Sequence, residues 1–255
     1  MSLLNSLRSE LLKTKKTWVL YLCFLGAVII PTLSFLFDQG TEEAISRFKA
    51  DPWNLFLKNG TEILAIIFLP AFVVLVCTLL PQIEYRNGTW KQVFTSPQKM
   101  HNVFIAKFLT AQIFIIAFIV LHNLFMMVSM MGLQLTNPEL NIWNHAIDVK
   151  RLLIKNGNIY VSALALSTIQ FWFGLRFKSF LAPVGFGLAM WIASMLLALE
   201  HKWIHADKIP FAYPMMIVFP AYKNQLESIM WSSVAYAGLF LIVAYLDFSR
   251  RKAKS

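Results

Sequence analysis

The sequence predicts an all-α, polytopic membrane protein that crosses the bilayer with six helices. Hydrophobic residues make up 58% of the 255 residues and charged residues only 14%, whereas a soluble domain carries about 25% charged residues. The mean hydropathy of +0.60 points the same way. Six apolar stretches are also close to the ~20 residues that a helix needs to cross a bilayer core of ~30 Å.

The first element is an amphipathic segment, residues 1–16, that precedes the first apolar stretch. Leu3, Leu4, Leu7 and Leu11 recur at helical spacing, with basic residues between and after them. This pattern predicts an interfacial helix on the inner membrane surface, and a solvated basic tail is the alternative. The apolar stretch that follows is too long for a signal peptide and lacks its cleavage pattern, so we expect it to be retained.

The six spans are predicted as helices because backbone groups in lipid must be hydrogen-bonded within their own segment. Their approximate limits are residues 17–37, 62–81, 104–133, 159–175, 180–199 and 229–248. The third stretch is long enough to tilt or to extend past the bilayer. No stretch is polar enough for a separate soluble domain, so residues 1–255 are predicted to form a single transmembrane domain.

The segment between the second and third spans, residues 82–107, is long, polar and basic although it joins two very apolar stretches. Asn87-Gly88 favours a tight turn, Thr89 can cap a following helix, and Ser96-Pro97 would end that helix. The apolar face of the helix would hold Trp90, Val93 and Phe94. A short amphipathic helix that projects from the membrane offers another protein a surface to bind.

The spans contain few polar side chains and no Asp, Glu, Lys or Arg near their centres. Ion-coupled carriers and intramembrane enzymes usually hold an ionisable group there, so a transporter driven by a partner is favoured over both. The polar exceptions are Gln112, His122, Asn123 and Gln170. These four could line a substrate path, or they could join neighbouring helices by hydrogen bonds; both interpretations stay open.

Before the last span, residues 209–222 are almost wholly apolar but contain Pro210, Pro214 and Pro220. The segment is too short to span the bilayer and too rich in proline for one straight helix. We therefore expect a re-entrant or interfacial hairpin.

The basic residues predict that both termini lie in the cytoplasm. With the amino terminus inside, the inner segments 1–16, 82–107, 176–179 and 247–255 hold 14 of the 23 Lys and Arg residues. The acidic residues of these inner segments are Glu10, Glu84 and Asp247. Because the basic residues lie in short segments between apolar stretches, the charge of +10 indicates membrane orientation rather than nucleic-acid binding.

The sequence lacks the motifs of several enzyme classes. It contains no G-x-x-x-x-G-K-[ST] phosphate-binding loop and no H-E-x-x-H zinc motif. His201 and His205 are four residues apart, but two interfacial histidines are a weak metal signal, and we predict no metal site and no cofactor. The chain is therefore expected not to hydrolyse ATP itself.

The polar loop resembles the first cytoplasmic loop of ABC-2-type permeases, the membrane subunits of ATP-binding-cassette transporters. Their pattern is an acidic residue, Asn-Gly-Thr, a few hydrophobic residues, Ser-Pro, and Ala-Lys at the start of the third span. This chain has Glu84, Asn87-Gly88-Thr89, Ser96-Pro97 and Ala106-Lys107 in that order. The six-span layout agrees over nearly the whole chain, and the short outer loops are most similar to permeases of peptide-antibiotic immunity and export systems.

The resemblance implies an exporter permease in a bacterial plasma membrane that moves an amphipathic peptide, a lipid or a drug-like substrate. A separate subunit would hydrolyse the ATP, and a second permease, identical or different, and membrane lipid would be the other partners. A partner-independent membrane enzyme or assembly factor and an ion-coupled secondary carrier are the alternatives.

The resemblance also assigns the polar loop to coupling with the ATPase. Trp90, Val93 and Phe94 would be the apolar anchor for that subunit, and Glu84 and Arg86 would be polar contacts. The expected coupling loop comprises Glu84, Arg86, Asn87, Gly88, Thr89, Trp90, Val93 and Phe94.

Overall fold

The structure, a computed structural model, describes residues 2–15, 17–38, 46–95, 98–199 and 208–252. Within these ranges the regular elements are helices. The α-helices are α1 (Leu3–Thr14), α2 (Trp18–Asp38), α3 (Pro52–Ile63), α4 (Leu69–Asn87), α5 (Trp90–Thr95), α6 (Met100–Thr136), α7 (Val149–Arg176), α8 (Leu181–Leu199), α9 (Tyr213–Met216) and α10 (Leu226–Lys252). A π-helical turn, Leu64–Phe68, joins α3 to α4.

Six segments of the described chain are long and apolar enough to cross a membrane. They are Trp18–Asp38, Pro52–Asn87, Met100–Thr136, Val149–Arg176, Leu181–Leu199 and Pro220–Arg250. The predicted all-α fold with six spans is therefore confirmed.

Two of the helices begin about ten residues earlier than the spans predicted from hydropathy. Asp51 caps α3 by accepting a hydrogen bond from the Asn54 backbone N–H at 3.4 Å. Asp148 caps α7 in the same way, from the Arg151 N–H at 2.9 Å. At 1.5 Å per residue the continuous segment from α3 to α4 is about 54 Å long, against a bilayer core of ~30 Å. Hydropathy marks only the part of a helix that lipid can surround, whereas the caps mark where the helix starts.

The second, third and fourth spans form the centre of the bundle, and in the other three about a quarter of the residues or fewer are buried. Helix α2 packs along α6, α4 packs against α6 and α7, and α10 packs along α7. Phe72 of α4 stacks on Phe118 of α6 with 4.1 Å between the ring centroids. At Gly174 of α7 an added Cβ would lie 2.4 Å from the carbonyl oxygen of Cys77 in α4, so the two backbones touch there.

The segment between the fifth and sixth spans is broken into short turns, as its prolines predict. Pro210–Ala212 is a 3₁₀ turn, α9 follows at Tyr213, and a second 3₁₀ turn covers Pro220–Gln225. Tyr213 and Met216 are fully buried. The position of this segment in the membrane, like that of α1 at its surface, stays a prediction. His201 and His205 lie outside the described residues.

Candidate functional site

The candidate site lies at the end of the bundle that carries the polar loop, called here the loop end; the opposite end, which carries Asp51 and Asp148, is the far end. At the loop end, α4 stops in a tight turn. Gly88 has φ +63°, a left-handed conformation that suits glycine. Its N–H donates to the Tyr85 carbonyl at 3.4 Å, and the Thr89 N–H donates to the Glu84 carbonyl at 3.0 Å. This pair of bonds is a Schellman C-cap, so the chain turns sharply where Asn87-Gly88 predicts it.

Helix α5 starts directly after this turn and has two different faces. Its inner face consists of Trp90, Val93 and Phe94, which are half-buried and pack on the core of the bundle. The rings of Trp90 and Phe94 each lie 5.9 Å from the ring of Phe248 in α10. The docking face, as it is called here, consists of the exposed side chains of Lys91, Gln92 and Thr95 in α5, together with Arg86 and Asn87 at the end of α4.

Four charged residues from three helices meet behind α5. We call them the charge cluster: Glu10 and Lys13 of α1, Glu84 of α4 and Lys107 of α6. Lys107 is paired with Glu84 and lies 2.7 Å from Glu10. Lys13 lies 2.6 Å from Glu10 and 3.0 Å from Glu84. The side chains of Glu84 and Lys107 are only 1% and 2% exposed.

The cluster is electrically balanced, with two carboxylates and two ammonium groups. Burial alone would raise the pKa of Glu10, but Lys107 and Lys13 outweigh burial and lower it. Burial alone would lower the pKa of Lys13, but Glu10 and Glu84 outweigh the effect of burial and raise this pKa. Each of these two groups is thus held in its charged form by its partners. Removing one partner of a buried ion pair leaves an uncompensated charge, at a cost of ~3–5 kcal/mol.

The charge cluster connects α5 to the membrane-spanning helices. The Lys107 ammonium group lies 5.5 Å from the centroid of the Trp90 ring, within the range of a cation–π interaction. Trp90 therefore contacts both α6, through Lys107, and α10, through Phe248. Beside the cluster, a cleft of about 380 Å³ between α1 and α5 reaches from Glu84 to Gln92.

Sequence patterns predict the loop but not the charge cluster. They predict Glu84 as a polar contact for the ATPase subunit, whereas the structure buries this residue in ion pairs within the chain. The sequence does carry an indication of such pairing: among the 14 basic residues of the inner segments stand the acidic residues Glu10, Glu84 and Asp247. The third, Asp247, also bridges helices: its carboxylate lies 3.0 Å from the Arg176 guanidinium and accepts a hydrogen bond from the Trp172 indole at 3.3 Å.

Three of the four polar residues inside the spans bond to neighbouring helices, and a role for the four in a substrate path stays a prediction. Gln112 and Asn123 of α6 bond to α7: the Gln112 amide donates to Ser167 at 3.2 Å, and the Asn123 amide donates to Asn156 at 3.2 Å. The Gln170 amide donates to Thr78 at 2.9 Å and to the Pro183 carbonyl at 2.8 Å. This is the arrangement that the helix-joining interpretation predicts for these three residues.

His122 differs from the other three. It is fully buried beside the backbone of Ala27 and Gly60 and makes no side-chain bond to α7 or α8 like those of the other three. The residue is enclosed by α2, α3 and α6. A contact between His122 and a substrate stays a prediction.

The sequence was also compared with known proteins. A search of curated proteins finds no match. The family model described as "ABC-2 family transporter protein" matches residues 6–194. The match runs from α1 into α8 and includes α5 and all four residues of the charge cluster. The chain therefore belongs to the ABC-2 family of transporter proteins.

Proposed function

We propose that this chain is the permease subunit of an exporter that uses ATP hydrolysed by a separate ATP-binding-cassette subunit. One observation carries the proposal: α5 exposes a polar face and packs its apolar face on the spans. An exposed polar face that carries cations offers a partner subunit of complementary charge a surface to bind. The attachment to α6 and α10 gives movement of such a partner a route into the membrane.

In the proposed mechanism the ATPase subunit contacts the docking face, with Arg86 and Lys91 as its charged contacts. The inner face has a different role, because Trp90 and Phe94 already have partners within the chain. Closure of two ATPase subunits would move two such helices together, one from each of two permeases. The charge cluster and Phe248 would then pass the movement to the spans as rigid bodies.

The substrate is proposed to be an amphipathic peptide, a lipid or a drug-like molecule. Support comes from the apolar and aromatic interior of the bundle. The loop end is proposed to face the cytoplasm of a bacterial cell, with both termini inside, because the loop-end segments carry most of the basic residues.

Purification of the chain from its own membrane tests the proposal. An affinity-tagged chain should retain an ATP-binding-cassette subunit that mass spectrometry identifies, and the complex should hydrolyse ATP. The chain alone, separated from that subunit, should hydrolyse none. Sustained hydrolysis by the separated chain, or repeated purification without an ATPase, would contradict the proposal.

A further inference from the structure

A second feature lies at the far end of the bundle, remote from α5. A cavity of about 470 Å³ opens between α3, the start of α7 and the turn at Ile217–Val218. Its inner wall is apolar and includes Leu57, Ile159 and Val218. Ile154, which also lines the cavity, is 55% exposed. Ile154 thus gives the opening of the cavity an apolar rim, about one turn of α7 before the predicted apolar span begins.

Four cationic side chains line the same cavity: Lys58, Lys150, Arg151 and Lys155. Lys155 lies 3.2 Å from Glu62, and like-charge repulsion acts on it from Lys58 and Arg151. Among the described residues, the side chains of the other three cations form no ion pair. The positive charge of the cavity is therefore only partly balanced.

The position of two of these cations in α7 adds to the imbalance. Lys150 and Arg151 stand in the first turn of α7, and that turn contains no acidic residue. The N-terminus of a helix carries a partial positive charge, so cations there are unfavourable and anions are favourable. Asp148, the carboxylate directly before this turn, is already engaged as the helix cap.

We infer that this cavity binds an anionic phospholipid, with the phosphate between Arg151, Lys150 and Lys58 and an acyl chain along Leu57 and Val218. A guanidinium group can hold a phosphate by two parallel hydrogen bonds, and the ammonium groups add point charges. The apolar wall and the opening at Ile154 accommodate the chain of the same molecule. The inference rests on the cavity and its charges and does not depend on the ATP-driven function.

The test uses the full chain, purified without any ATPase, and native mass spectrometry of bound lipid. Phosphatidylglycerol should bind in preference to phosphatidylcholine. Lys150→Gln combined with Arg151→Gln should weaken phosphatidylglycerol binding about tenfold, as expected for the loss of one or two charge-assisted hydrogen bonds. Lys223→Gln is the matched control, because Lys223 is exposed on the segment before α10 and does not line the cavity. Equal binding by the double variant and the control would overturn the inference.

Three further arms separate the headgroup from the acyl chain and from free phosphate, and protect against misfolding. Lys150→Arg keeps the charge and should keep the lipid, and loss of binding in this variant would contradict a headgroup site. Ile154→Ser should weaken long-chain phosphatidylglycerol but not its dihexanoyl form. Inorganic phosphate at millimolar concentration should not displace the long-chain lipid. Full displacement would mean that the cavity recognises free phosphate alone, which also overturns the inference.

Discussion

Glu84 and Lys107 are 23 positions apart in the sequence, and the structure pairs them in the protein interior. Both belong to the sequence pattern by which the loop resembles ABC-2 permeases. Their contact gives that pattern a physical reason, because each side chain compensates the charge of the other at the end of the apolar bundle. Glu10 and Lys13 of α1 complete the balance.

Replacing one cation of the cluster tests this pairing. Lys107→Met should lower the free energy of unfolding by ~3–5 kcal/mol, because it leaves a buried carboxylate uncompensated. The double variant Lys107→Met with Glu84→Gln should recover part of that loss. The measurement is thermal unfolding in detergent.

The control for this experiment is Lys49→Met, which breaks an exposed pair with Glu139 at 2.6 Å. Exposed pairs contribute ~0–1 kcal/mol, so this variant should unfold close to the wild type. Equal losses in Lys107→Met and Lys49→Met would mean that the cluster does not stabilise the fold.

Stability should also depend on pH through Glu10. Its pKa in the folded protein is below the ordinary value of 4.5, so its contribution is present above that value and is lost as the pH falls through the lowered pKa. Unfolding temperatures measured between pH 7 and pH 3 should fall less steeply for Glu10→Gln than for the wild type. Identical slopes would mean that Glu10 does not contribute to the pH dependence of stability.

At the scale of elements, the sequence predicts the start of α5 but not the direction in which its apolar face points. The turn at Asn87-Gly88 is a local property, since glycine alone adopts the left-handed conformation without strain. The inner face is set by Phe248, which lies more than 150 residues later in a helix that no local pattern connects to the loop. An apolar stripe on a short helix predicts that this face is buried, but the stripe does not show whether a partner protein or the rest of the same chain buries it.

Trp90→Ala should separate binding from coupling. The docking face stays intact, so the ATPase subunit should still co-purify, and α10 should still insert. Stimulation of ATP hydrolysis by the permease should fall at least about tenfold, the equivalent of ~1.4 kcal/mol of lost coupling. His122→Ala should leave both ATPase binding and stimulation normal. His122 lies in α6, about four helical turns beyond Lys107, the α6 residue that contacts Trp90. Loss of ATPase binding in Trp90→Ala would assign Trp90 to the interface instead.

At the scale of the whole molecule, hydropathy predicts the number of spans, and the structure confirms it. Hydropathy does not predict the first ten or so residues of α3 and α7, because the starts of these helices are marked by the caps Asp51 and Asp148 and not by a continuous apolar stretch. These first residues line the cationic cavity at the far end, so hydropathy does not predict that cavity either. The interhelical bonds of Gln112, Asn123 and Gln170 also depend on which helices are neighbours.

The orientation of the bundle can be measured by cysteine labelling. Asn59→Cys at the far end should react with an impermeant thiol reagent applied to intact cells. Asn87→Cys at the loop end should react only after the cells are permeabilised, because the excess of basic residues predicts a cytoplasmic position for that end. The native Cys23 and Cys77 are buried and give little background. The reverse pattern of labelling would invert the topology.

The most direct test of the coupling role of α5 is retention of the ATPase subunit by variants of the docking face. Arg86→Glu combined with Lys91→Glu should reduce the amount of co-purified ATPase at least about tenfold, because reversing both charges replaces attraction to a complementary surface by like-charge repulsion. Lys223→Glu, a charge reversal at the far end, should retain it fully at the same membrane level. If the docking-face variant retains as much ATPase as the Lys223 variant, α5 is not the element that the ATPase subunit binds.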